Sequence, residues 1–190
     1  MISICEISNI IGNTICEAMI QDKKFQSWES FFLRQVNEMK VELERDYLTS
    51  LGLRIQFLDN KTFKGESRNW LALYGRTQNV LGKGIIAIAL NLPYFYKCMC
   101  EMGIEDDEYE IEAQAKITVG HEVGHALIDY FVDYYEGEAP AVKQFVTDFW
   151  NGDIDEEEEA EAFGESMAAA FTGVYDCRIL DILDIISNKQ

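Results

Sequence analysis

Both histidines of this 190-residue chain fall in one stretch, GHEVGHALIDYF at 120–131, where they stand four residues apart as His121 and His125. Four residues make slightly more than one helical turn, so on a helix the two imidazoles face the same point in space. Glu122 follows His121 by about 100° round such a helix and flanks that point. H-E-x-x-H therefore predicts a metal-binding helix, with two nitrogen ligands and a carboxylate beside the metal, the arrangement that suits tetrahedral zinc and an activated water. Two histidines alone bind zinc weakly, and a hydrolytic site takes three protein ligands with one position left open. The fold must bring a second element against this helix. With no third histidine in the chain, the expected third ligand is a carboxylate, and EEEEAEAFG at 156–164 offers several.

The rest of the chain reads as the scaffold for that encounter. Ile2, Ile7, Ile10, Ile11, Ile15 and Ile20 recur at helix-compatible steps, and a stronger helix is predicted over about 22–50. There Phe25, Trp28, Phe32, Val36, Met39, Leu43 and Tyr47 form an apolar stripe that ends before Gly52. The period then changes to that of strands at 53–59, 70–76 and 84–92, with Pro93 closing the last of them. A short helix over 94–102 follows. The acidic run EDDEYEIEA at 105–113 suits the first turns of the histidine helix, which is predicted to reach about residue 135 before Gly137 and Pro140. Further helices are predicted over 141–150, within 151–171 after cap-like residues, and over 175–187. The expectation is a single α+β domain over 1–190, with a helical part at 1–52, strands at 53–92 and metal-site helices at 110–171.

Composition excludes some roles. Thirty-four acidic against sixteen basic side chains leave a net charge of −18, which repels phosphate backbones and anionic headgroups and argues against nucleic-acid or membrane partners. No apolar run is long enough for a membrane span. The N-terminal MISICEISNIIGNTICEAMI lacks a basic n-region and contains Glu6 and Glu17, so no signal peptide is expected. Cys5, Cys16, Cys98, Cys100 and Cys177 form an odd set without a regular framework. They point to packing and a reducing, cytoplasmic setting rather than to disulfides or a thiolate metal site.

H-E-V-G-H-A-L-I-D-Y followed by E-E-E-A-E-A-F resembles the gluzincin metallopeptidases, most of all the lethal-factor-like branch that includes Pro-Pro endopeptidases. That branch carries an H-E-x-G-H-A helix and a later E-x-x-A-E-A-F helix. The E-x-x-A-[DN]-x-F-A pattern of ImmA/IrrE-like regulatory peptidases is also similar. The resemblance implies a zincin-like fold, with N-terminal helices and a small mixed sheet packed on an active-site helix and a glutamate-bearing helix. It also implies zinc as cofactor, Glu157 as third ligand, and a role for Glu161 in holding and polarising a ligand imidazole. Ala160 and Phe163 match its small and aromatic packing positions. Glu161 is the alternative ligand, because Glu161 and Glu165 also set two carboxylates four apart. Glu156, Glu158 and Glu159 read as the solvated, dipole-favouring start of a helix. Asp129, one turn beyond His125, is either a hydrogen-bond partner of a ligand histidine or a polar residue at the helix rim.

The chemistry expected of such a site is peptide hydrolysis, with Glu122 as general base toward a metal-activated water. An extended peptide substrate is expected along an edge strand, for which GIIAIALNL at 84–92 is the candidate. One position departs from the family. Seven residues before its glutamate ligand the lethal-factor-like branch has a tyrosine, whereas Trp150 stands here. Tyr175, Tyr134, Tyr135 and Arg178 are candidates for a transition-state stabiliser from elsewhere in the chain, each with the alternative of an ordinary surface or packing residue, and a preference for proline-flanking bonds does not carry over. The rival readings are a zincin-like regulatory or binding module with little or no turnover, and an acidic protein-interaction module.

Overall fold

The computed structural model describes residues 22–58, 72–78, 84–134, 139–168 and 177–187. The isoleucine-rich segment at 2–20 lies outside them. The first described helix, α1 (Lys23–Leu43), starts where the Asp22 carboxylate accepts the backbone N–H of Lys24 at 2.9 Å. Its stripe at steps of three and four buries Phe25, Trp28, Phe32, Val36, Met39 and Leu43. The helix then widens into a π-helical turn (Glu44–Leu48) and stops at Gly52, whose φ of 71° is left-handed backbone that a side chain would resist. The widened turn is joined to the sheet through Glu44, whose carboxylate accepts the backbone N–H of Ile55 at 2.7 Å.

Three strands follow, β1 (Leu53–Leu58), β2 (Ala72–Gln78) and β3 (Gly84–Leu90). They form a mixed sheet in the order β1-β3-β2, with β3 parallel to β1 and antiparallel to β2. The strand expected at the edge, GIIAIALNL, is thus the central one. The physical reason is visible in its composition: residues Ile86 to Leu90 are buried without a break, so both faces are covered. In β1, by contrast, Leu53 and Ile55 are buried while Arg54 and Gln56 are exposed, the alternation of a sheet wet on one face. Among the described residues the outer strands are β1 and β2.

After β3 come α2 (Leu92–Met102), α3 (Glu108–Tyr134), α4 (Pro140–Asn151), α5 (Glu156–Ala168) and α6 (Arg178–Ser187). The α+β class stands. Aromatic rings tie α2 to α1: Phe95 lies 4.6 Å from Phe32 between centroids, and Tyr96 lies 5.2 Å from Trp28. The 27 residues of α3 run roughly 40 Å at 1.5 Å per residue. It is the hub of the core, touched by α1, β2, β3, α4, α5 and α6. From Thr118 to Ile128 every residue of it is buried except His121 and His125. The two histidines are the polar window in an otherwise enclosed stretch.

Candidate metal centre

What sets the site is how closely α5 approaches α3. Gly120 and Gly124, four apart on α3, face Gly164 and Ala160, four apart on α5. A Cβ on Gly124 would stand 2.8 Å from the Cα of Ala160, and one on Gly120 would stand 2.7 Å from the Cα of Gly164. From the other side, a Cβ on Gly164 would meet the Ile117 carbonyl oxygen at 2.5 Å. No Cβ fits at these positions, so the backbones touch and the helices run antiparallel at close range. His121 and His125 each follow one of the α3 glycines, and close approach at the glycines therefore carries the first turn of α5 over the imidazoles.

That first turn is held by Asp155, whose carboxylate oxygen accepts the backbone N–H groups of Glu157 at 3.0 Å and Glu158 at 3.1 Å. This is a helix cap, and it satisfies donors that the helix itself leaves unpaired. Glu157 emerges from the capped turn with one carboxylate oxygen 3.3 Å from His121 Nε2 and the other 3.4 Å from His125 Nε2. The two Nε2 atoms are themselves 3.1 Å apart, with the rings near perpendicular. His121, His125 and Glu157 thus offer one donor atom each within 4.8 Å of one another, the arrangement of a group able to hold a metal ion. The imidazoles are sheltered, at 23% and 17% side-chain exposure, while Glu157 at 70% faces solvent.

Burial pushes the pKa of His121 down, and the neighbouring His125 acts in the same direction, against the weaker opposing charges of Glu157 and Glu161. The neutral imidazole, the form with a lone pair for a metal, is therefore favoured. Glu122 is buried at 9% exposure, next to His121 on the enclosed stretch of α3. The second nitrogen of His125, Nδ1, is 2.8 Å from Glu156 Oε1. Glu156 keeps the exposed place at the helix start expected of it, with 45% of its side chain exposed, and in addition touches the His125 ring.

The other expected residues fall elsewhere. Glu161, one turn beyond Glu157, lies close enough to His121 for its charge to act on that imidazole. With Glu165 and Arg178 it also lines an acidic cleft of about 520 Å³. Asp129 is half-buried one turn beyond His125. Arg178 is engaged by Asp148 at 3.1 Å and by Glu159 at 3.6 Å. Trp150 lies in the last turn of α4 with 70% exposure, its ring 5.7 Å from that of Phe149. Tyr175 and Tyr135 lie outside the described residues, and Tyr134 is the last residue of α3.

Two features were not drawn from the sequence. The paired small residues were legible there, since Gly120 and Gly124 repeat at the same four-residue step as Ala160 and Gly164. Glu156 had no such signal, being one of four consecutive glutamates. The chain matches no protein-family model, no curated protein and no solved structure.

Proposed function

We propose that this chain is a zinc-dependent endopeptidase of the gluzincin type, with a zincin-like fold. The observation that carries the reading is the convergence of His121 and His125 on α3 with Glu157 on α5, beside Glu122 of α3. The donor set fits the metal: two imidazole nitrogens and a carboxylate are ligands zinc takes readily. Neighbouring ligands on a tetrahedral zinc with bonds of about 2.0–2.1 Å stand roughly 3.3 Å apart. The two Nε2 atoms here are 3.1 Å apart, and Glu157 sets one carboxylate oxygen 3.3 Å from His121 Nε2 and its other oxygen 3.4 Å from His125 Nε2, contacts of that same size.

Zinc bound there supplies a Lewis acid that polarises a carbonyl and acidifies water toward neutrality. His121 and His125 present Nε2 lone pairs, and Glu157 contributes the negative charge that two neutral imidazoles lack. Glu122 takes the proton of the attacking water on its carboxylate and delivers a proton to the departing amine nitrogen. An extended peptide has β2 as its docking edge, which among the described residues is an outer strand and packs against α3. Strand addition there supplies backbone hydrogen bonds irrespective of sequence.

Among the described residues no helix is long and apolar enough to cross a membrane. Cys98, Cys100 and Cys177 are free thiols, which suits a reducing cytoplasm. Trp150 favours one second reading, a zinc-holding binding module without turnover, because an exposed indole stands where the resemblance asks for a phenolic hydroxyl.

Metal content and cleavage together test the proposal. Purified parent protein is expected to hold one zinc, and His121→Ala none; a parent without zinc removes the central claim. A mixed peptide library is expected to be cut by the parent and spared by Glu122→Gln. Zinc retention with identical digests from both proteins would select the binding module.

A further inference from the structure

We infer that Glu156 is the positioning residue of the metal centre: its carboxylate accepts the Nδ1–H of His125 and turns the Nε2 lone pair of that ring toward His121 and Glu157. The inference rests on the metal-site reading above and adds to it a residue outside the expected ligand set.

A neutral imidazole has one N–H donor and one acceptor nitrogen, whereas an ionised carboxylate only accepts. The 2.8 Å contact between His125 Nδ1 and Glu156 Oε1 therefore requires the hydrogen on Nδ1. That leaves Nε2 with its lone pair, and Nε2 is the atom that lies 3.1 Å from His121 Nε2 and 3.4 Å from Glu157 Oε2. Free imidazole side chains favour the opposite tautomer, with hydrogen on Nε2, so a partner on Nδ1 is what selects the ligating form. Carboxylates commonly perform this service for metal-bound histidines and raise their basicity.

The geometry is economical because Glu156 and Glu157 are consecutive. They leave the same capped turn and reach opposite nitrogens of the same ring, one orienting it and one sharing its metal. Asp155 fixes that turn through the backbone N–H of Glu157. Glu158 carries the same charge in the same first turn and makes no hydrogen bond or ion pair with either histidine, which makes it the natural control for a simple charge effect.

The test measures zinc affinity by competition with a chromophoric chelator in the parent, E156A, E156Q and E158A. It adds long-range proton–nitrogen NMR of the metal-free proteins at a pH where imidazoles are neutral. E156A is expected to bind zinc about 10–100-fold more weakly, the loss typical for removal of such a partner. E156Q is expected to recover part of that loss, because its amide oxygen still accepts from Nδ1, and E158A to match the parent. In the NMR spectra His125 is expected as the Nδ1–H tautomer in the parent and to shift toward Nε2–H in E156A. An unchanged tautomer and unchanged affinity in E156A would overturn the inference and leave the metal site standing. Equal losses in E156A and E158A would also overturn it, in favour of helix-start charge. A parent that binds no zinc would remove both readings together.

Discussion

Gly124 meets Ala160 backbone to backbone: a Cβ placed on Gly124 stands 2.8 Å from the Cα of Ala160 and 3.2 Å from its Cβ and carbonyl oxygen. None of these three atoms is the far end of a flexible side chain, so a methyl group at Gly124 has to push the two helices apart. Alanine is a better helix former than glycine by about 1 kcal/mol. Overpacking against rigid neighbours costs about 1–3 kcal/mol, and at this site the second effect wins. Gly124→Ala is expected to lower the stability of the metal-free protein, read by urea denaturation, and to weaken zinc binding further by withdrawing Glu157 from the histidines. A variant as stable as the parent with unchanged zinc affinity would show that the helices tolerate separation.

Glu157 and Glu161 make different predictions about the metal. A ligand at 100 times its dissociation constant stabilises the state that binds it by about 2.7 kcal/mol. For a chain of this size that is a rise of roughly 5–10 °C in Tm. Excess zinc is expected to raise the melting temperature of the parent by about that amount and to leave Glu157→Ala unmoved. Glu161→Ala is expected to keep most of the rise, because Glu161 lies outside the converging donor group. The reverse order in a calorimetric scan would assign the third ligand to Glu161.

The stability of the metal-free protein is expected to depend on pH through His121. Its folded pKa is depressed from the ordinary 6.5, by burial first and by His125 second. The unfolded chain then binds protons more readily than the folded one around that pH. The sign follows directly: stability is highest where the imidazole is neutral and is lost as pH falls through about 6.5 toward the lower folded value. Denaturation curves between pH 7.5 and 5 should show a smaller loss for His121→Phe than for the parent. Equal losses would mean that other groups carry the dependence.

The cap at Asp155 joins stability to the site. Its carboxylate accepts from the N–H groups of Glu157 and Glu158, and removal of such a cap typically costs about 1 kcal/mol. Asp155→Ala is expected to lose that amount in thermal denaturation and to weaken zinc binding at the same time, while Asp155→Ser restores both. Normal metal affinity in Asp155→Ala would separate the cap from the geometry of Glu157.

The local elements were legible because period alone encodes them. The stripe from Phe25 to Leu43 occupies the buried face of α1, and the alternation of β1 shows one wet face. Their ends were less sharp. The helix expected to reach residue 50 changes to a π-helical turn at Glu44, where its carboxylate is committed to Ile55 in β1. That partner comes from tertiary structure and has no trace in helical periodicity.

By itself the sequence determined that two imidazoles share one helix face, that Glu122 stands beside them, and that a later acidic helix is available to complete a site. Helical geometry dictates the first two, and composition the third. Which strand would be central, which glutamate would reach which nitrogen, and how near the helices come were decided only by the tertiary structure. β3 became central because its unbroken apolar run needs cover on both faces. Among four consecutive glutamates, chemistry is identical and position is everything. The contact of Gly120 and Gly124 with Gly164 and Ala160 sets the register in which Glu157 faces both Nε2 atoms and Glu156 takes Nδ1 of His125.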